Sequence, residues 1–270
     1  MTTKTFDLEF ITPAFLCGAN QEQAELRPAS VRGQLRWWLR ALGADRETET
    51  RIFGGVHGEV TSSSVIIHAK VMKAVHEAFH KPAPMSDRGY LYYFATVSGE
   101  RKGVRIEPNA YFAPGTAFKI SIAQRRPLPE ADSLLFEKAT ECFICLGALG
   151  LRATRGCGAF AEIAGGMDAP SFLAWAESLR SYGILVQKPV DEVYHTAQEA
   201  QTRLGGCLRN LRKEYRLSGK NRSALGYSIG TDRMASALRL RPVKIKEGFL
   251  PLLVYTDAAN SQPSIRNIIE

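Results

Sequence analysis

ASVRGQLRWWLRAL, residues 29–42, is where the chain changes its period. Just upstream, residues 5–11 alternate apolar Phe6, Leu8 and Phe10 with polar neighbours, the two-residue repeat of a half-buried strand, and Pro13 stops it. Within 29–42 the apolar positions Val31, Leu35, Trp38, Leu39 and Leu42 gather instead on one face of a helix. Pro28 or Ser30 suits its first turn and Gly43 its end.

Working outward, a turn at Phe53-Gly54-Gly55 is followed by runs rich in branched and aromatic residues at 64–72, 90–97 and 117–123, each expected to be a strand. Residues 134–149 return to helical spacing through Leu135, Ala139, Cys142 and Leu146. GALGLRATRGCGAF, residues 147–160, overlaps the end of that helix and forms a glycine-punctuated basic loop leading into a short strand. The order strand, helix, three strands, helix predicts an α+β fold: an antiparallel sheet covered by helices on one face, the ferredoxin-like (RRM-like) arrangement.

Gly165 and Gly166 mark a boundary, dividing the chain into a first domain over 1–165 and a smaller basic domain over 166–270. In the second, residues 170–181 read as a helix, 182–187 as a strand and 196–215 as a basic helix weakened by Gly205 and Gly206. Residues 234–245 and 249–255 read as two strands around Glu247-Gly248. A length of 270 residues fits two such domains, each burying a core. Hydrophobic residues at 45% and charged residues at 23% are those of a folded chain rather than a disordered one.

The chain holds 35 Lys and Arg against 27 Asp and Glu, a formal +8. Residues 194–246 contain twelve basic and three acidic residues, a local +9, which leaves −1 for everything else. Such concentration favours a polyanionic partner over a general solubility device, although basic stretches are often only solvated faces. Five cysteines without framework spacing, behind an opening MTTKTFDLEF unlike a signal peptide, predict a reducing, cytoplasmic setting. No apolar run reaches the roughly 18 residues that span a bilayer, so no membrane partner is expected.

Three features carry chemistry. Arg32, Arg36 and Arg40 recur every four residues and advance only about 40° per step, making a basic ridge beside the apolar face of the 29–42 helix. Guanidinium groups so placed can contact successive phosphates, and neighbouring Trp37 can stack on a base or on an arginine. In the glycine loop, Gly147, Gly150, Gly156 and Gly158 allow sharp turns and close approach, while Arg152 and Arg155 add charge, together a candidate phosphate cradle or else a structural turn. No GxxxxGK[ST] pattern accompanies it. Third, Arg209, Arg212, Lys213 and Arg216 crowd the basic helix, with Tyr215 and Tyr227 interleaved as stacking groups for single-stranded RNA.

Catalytic and metal candidates are few. His57 in GGVHGE, with Glu59 nearby, offers an exposed general base or a plain surface histidine. His76 and His80 lack a third ligand, and Cys142 with Cys145 form an isolated CxxC inside a predicted helix, where both are expected in the core. Neither a metal nor any other cofactor is expected.

ITPAFLCGAN, AELRPASVRGQLRWWLRAL and RIFGG resemble the opening of the RAMP proteins of the type III-B CRISPR effector, in particular the first-numbered subunit of its Cmr complex. The loop GALGLRATRGCGAF is similar to that superfamily's signature loop, and TDRMASALRLRPVKI resembles its second domain more loosely. The resemblance implies two ferredoxin-like domains, a non-catalytic role in antiviral defence, contact with guide RNA and target RNA, and assembly with other RAMP subunits. Residue by residue it implies RNA contact for Arg32, Arg36, Trp37 and Arg40 and for Gly147, Gly150, Arg152, Arg155, Gly156 and Gly158. The alternatives are a metal-independent guide-processing ribonuclease, with His57 as base and a loop arginine on the pentavalent phosphate, and a scaffold whose basic surface meets an acidic protein.

Overall fold

The computed structural model describes residues 2–56, 60–83, 86–92, 110–214, 225, 227–229, 232–234 and 236–256. Strand β1 (Thr2–Phe10) leads to α1 (Pro28–Ala41), which Pro28 opens and Gly43, at φ 92°, closes. The segment that follows is helical too: α2 (Arg46–Phe53) starts at Asp45, whose carboxylate accepts from the Thr48 amide at 2.7 Å. Then come β2 (Val65–Lys73), a short α3 (Asp87–Leu91), β3 (Ala117–Gln124), α4 (Glu130–Leu146) and β4 (Phe160–Glu162).

Two expectations are corrected here. The expected strand at 90–97 begins inside α3, where Ser86 caps the helix by accepting from the Gly89 amide, and residues 93–97 lie outside the described ones. Helix α4 starts at Glu130 behind Pro129 and stops at Leu146. A Cβ on Gly147 would sit 2.0 Å from the Phe143 carbonyl, so the backbone leaves the helix where only glycine fits.

The first sheet has the order β2-β3-β1-β4, every pair antiparallel. With helices between β1 and β2 and between β3 and β4, this is the split βαβ arrangement of a ferredoxin-like fold. Leu8, Phe10, Phe118, Ile120 and Phe160 face α1 and α4, and Phe10 stacks on Phe118 at 4.4 Å. The register puts Thr5, Asp7, His68, Lys70, Lys119 and Ser121 on the opposite face, with Lys119 paired to Asp7 at 3.1 Å. None of the strand residues on that face is Phe, Tyr or Trp, and His68 is its one aromatic ring. The topology is RRM-like, but this sheet lacks the paired Phe or Tyr rings on which an RRM stacks bases.

Helix α5 (Ala169–Ser178) and a 3-10 turn precede β5 (Ile184–Gln187), α6 (Ala197–Glu214), a small hairpin β6 (Tyr227–Ile229) and β7 (Asp232–Met234), and the hairpin β8 (Leu238–Ile245) and β9 (Gly248–Thr256). The second sheet, β5-β9-β8, repeats three of the four ferredoxin positions in the same relative order. Gly205 and Gly206 do not interrupt α6. A Cβ on Gly205 would lie 2.0 Å from the Asp87 carbonyl, so these glycines let α3 press against the helix.

The expected division at 165 and 166 falls between β4 and α5 and separates the two sheets, but not the core. One apolar cluster joins Leu8, Phe10, Trp38 and Phe143 to Phe172, Ile184, Val243, Leu252 and Val254. The other face of the second sheet, with Leu238, Leu240, Leu253 and Tyr255, packs on α6 and on Phe15, Phe79 and Tyr92 of the first half. Strand β8 is therefore buried on both faces, arginines included.

Candidate nucleic-acid interface

The apolar stripe of α1 fixes its rotation, and with it the direction of the ridge. Arg36 grips the Glu49 carboxylate from α2, with Nε and Nη2 both 2.5 Å from Oε1, and Arg40 Nη1 stands 3.6 Å from the other oxygen. Glu49 is 7% exposed, so a nearly buried anion sets the geometry of two half-exposed cations. Arg32 donates to the Ser63 hydroxyl at 2.9 Å and lies over the Phe53 ring. Among the described residues, two arginines share one carboxylate and the third meets a hydroxyl and a ring but no carboxylate, so the ridge keeps net positive charge at fixed positions. Beside it, Arg36, Arg40, Asp45, Arg46, Thr50 and Gly54 line an open cleft.

Trp37 is half-buried at the seam between α1 and the second sheet. Trp38 meets it edge-on at 4.8 Å, and the Arg239 guanidinium of β8 lies 3.4 Å from its ring centroid. Of the two stacking partners expected for Trp37, base or arginine, the protein itself supplies an arginine.

The glycine loop bonds largely to the protein's own chain. Gly150, Arg152, Gly156 and Gly158 all have positive φ, but the backbone they bring close is the protein's own. Cβ atoms at Gly150 and Gly158 would lie 2.5 Å from the Phe15 carbonyl and 1.8 Å from that of Leu149. The amides of Leu149, Leu151, Arg155, Gly158 and Ala159 are all bonded to protein acceptors. Arg152 donates to the Leu91 carbonyl at 3.1 Å, and Arg155, 6% exposed, donates to the Leu225 carbonyl and the Ser236 hydroxyl. Burial pushes the Arg155 guanidinium down to about 9. Gly147, Gly150, Arg152, Arg155, Gly156 and Gly158 thus lie in a loop that ties the segment after β1, the end of α3 and β8 together.

Along α6, Arg209 pairs with Asp87 and Arg212 both stacks on and hydrogen-bonds to Tyr90, so these two fasten α3. Lys213 is exposed. Arg216, Tyr215 and the side chain of Tyr227 lie outside the described residues, as do His57 and Glu59. Cys142 and Cys145 sit in α4 with thiols pushed up by burial, Cys145 to about 12. Among the described residues no cluster of three or more His, Cys, Asp or Glu is placed to hold a metal ion, and no helix is long and apolar enough to cross a membrane.

Sequence reasoning passed over Arg239 and Arg241 of LRLRPVKI, where charged and apolar residues alternate as on a half-solvated strand. Arg241, 1% exposed, donates from Nε to the Leu146 carbonyl at 2.6 Å and from Nη1 to that of Ala153. It caps α4, whose last turn has no basic residue of its own.

An open-faced ferredoxin sheet, a braced arginine helix and a glycine loop riveted to a second sheet together match a known class. The profile of the RAMP superfamily fits residues 7–161, and the chain belongs to that superfamily. Within it the chain is 32% identical over 176 residues to the CRISPR system Cmr subunit Cmr1-2 of Pyrococcus furiosus, covering 57% of this chain and 91% of that one. It is 25% identical over 170 residues to Cmr1-1 of the same organism, an alignment spanning 47% of that protein. In fold it is similar to the crystal structure of Pyrococcus furiosus Cmr1 in its apo form, with a TM-score of 0.61 at 20% identity over 95% of this chain and 88% of that one. A chain in the cryo-EM structure of the type III-B Cmr-beta complex bound to cognate target RNA gives 0.58 at 10% identity, over 93% of this chain and 94% of that one.

Proposed function

We propose that this protein is a non-catalytic RNA-binding subunit of a type III-B CRISPR effector, contacting guide RNA, target RNA or both beside other RAMP subunits. The observation that carries the reading is the α1 ridge, where Arg36 and Arg40 share the single carboxylate of Glu49 and Arg32 has none among the described residues. Cations held in place before binding lose little freedom when a phosphate arrives, and planar guanidinium forks fit phosphate oxygens two at a time. The similarity to Cmr1 subunits supports the assembly. Affinity then comes from phosphate contacts with little base selection, since the open sheet face carries no Phe, Tyr or Trp.

Arg36→Glu combined with Arg40→Glu tests this. Without the two charge-assisted hydrogen-bond donors, affinity for single-stranded RNA should fall at least about 100-fold. The salt dependence should flatten by about 1.4 in slope, two phosphates at roughly 0.7 each. Lys4→Ala, which removes a surface pair with Glu137, should change neither. A folded double variant that keeps full RNA affinity but no longer assembles with its partners would sink RNA contact at α1 and favour the protein-scaffold reading.

A further inference from the structure

Among the described residues three arginines are almost wholly buried: Arg155, Arg239 and Arg241. Two of them are answered by the protein, Arg155 by the Leu225 carbonyl and Arg241 by those of Leu146 and Ala153. Arg239 is not. It is 8% exposed, its Nε is sealed from solvent without an acceptor, and its guanidinium lies against the Trp37 ring, 3.4 Å from the centroid. Among the described residues no carboxylate, carbonyl or hydroxyl takes a hydrogen bond from it. Burial pushes its guanidinium down to about 10, so it stays charged at neutral pH.

A buried cation without a partner is destabilising, and a methionine would fill the same space without that penalty. The shortfall is not confined to one atom. Thr256, on the same face of neighbouring β9, has a buried hydroxyl without a partner, and so does the amide oxygen of Gln34, one turn before Trp37 on α1. Trp37 fixes the plane of the guanidinium. Nε alone of its nitrogens is sealed and unmet, which leaves the Nη edge of the fork as the part a ligand can reach.

We propose that Arg239, held flat against Trp37, is a phosphate-binding residue that carries the RNA interface from the α1 ridge onto strand β8. The ligand is a backbone phosphodiester of single-stranded RNA, taken by the fork edge in the plane that Trp37 sets. Trp37 lies about 100° round α1 from Arg36, so a strand leaving the ridge on that side meets this seam. The proposal rests on the RNA-binding reading above and adds to it a residue from the second sheet.

The test uses the intact protein, a short fluorescent oligouridine and a salt series, with melting temperature measured alongside. Arg239→Met should bind RNA about tenfold more weakly, with the salt slope shallower by about 0.7, one phosphate's share. Its melting temperature should stay level or rise, because an unpaired buried charge has gone. Arg239→Lys should restore the slope and recover part of the affinity, since it keeps the charge but not the planar fork. A purely structural arginine gives the opposite signature: a lower melting temperature or failure to fold in Arg239→Met, with slope and affinity untouched in Arg239→Lys, and that result would overturn the proposal. If the wild type and the α1 charge reversal behave as expected while Arg239→Met binds like wild type, this assignment alone fails. If the wild type does not bind the oligouridine at any salt, the RNA reading fails and takes the assignment with it.

Discussion

Arg241→Met is the perturbation whose consequence follows most directly from the structure. The side chain is 1% exposed and joins the last residue of α4 and the glycine loop to β8 through the Leu146 and Ala153 carbonyls. Methionine matches the stem in volume but donates nothing, so three carbonyls, those of Leu146, Ala153 and Leu240, lose a donor, at about 1–3 kcal/mol for each left unpaired. Removing a cation from the C-terminal end of α4 adds about 1 kcal/mol. Against this stands the relief of a desolvated guanidinium, whose pKa burial holds well below its ordinary value. The net expectation is a loss of roughly 3 kcal/mol, or about 6–12 °C in melting temperature for a chain of this size. Chemical denaturation followed by far-UV circular dichroism measures it, with Arg241→Lys as companion, which keeps the charge but not the fork and should lose nearly as much. A variant as stable as wild type would refute the reasoning, because the fork's bonds would then do no more than offset the burial of its charge.

Glycine substitutions should move stability in opposite directions at two helical sites. Gly33 in α1 has nothing within 4 Å of a would-be Cβ, so Gly33→Ala should stabilise by about 0.5–1 kcal/mol. Gly205→Ala should destabilise by at least about 2 kcal/mol although alanine is the better helix former, because Asp87 occupies the space; thermal melts of the pair decide. Cysteine chemistry gives a pH prediction: burial pushes the Cys157 thiol up to about 12 from 9.0. A folded pKa above the unfolded one gives stability that is complete below pH 9 and fades as pH rises toward 12. Cys157→Ala should therefore flatten the alkaline limb of the stability profile, and in the native protein at mildly alkaline pH a thiol reagent should leave Cys142 and Cys157 unmodified.

Much of this architecture was legible because it is written in local periods. The alternation of β1, the 3.6-residue stripe of α1 and the spacing of α4 each reproduce the face that is buried. Helix α2 was missed because RETETRIF has only two apolar residues, although Asp45 ahead of Thr48, with Glu47 and Glu49 in the first turn, is a capping signal that was available. The arginine ridge was readable from its four-residue spacing, whereas the carboxylate that braces it lies on the helix that was missed.

The inward bonding of the loop and the burial of β8 were hidden for a different reason. Glycines and arginines look alike in sequence whether the backbone they bring close belongs to a ligand or to the protein, and only Phe15, Leu91 and Leu225 show that this loop closes on its own chain. LRLRPVKI alternates as if one face were wet. Both faces are covered because α6 takes one and the first half of the chain takes the other, a long-range fact with no local signature.

The central claim is that this chain works as an RNA-holding subunit among other RAMP subunits. The most direct measurement is to purify the tagged protein from its native host at mild salt and to analyse what accompanies it. Discrete guide-length RNA together with further RAMP subunits is predicted, with loss of the RNA when Arg36 and Arg40 are reversed to glutamate. Recovery of the protein alone, without RNA or partner subunits, would contradict the claim.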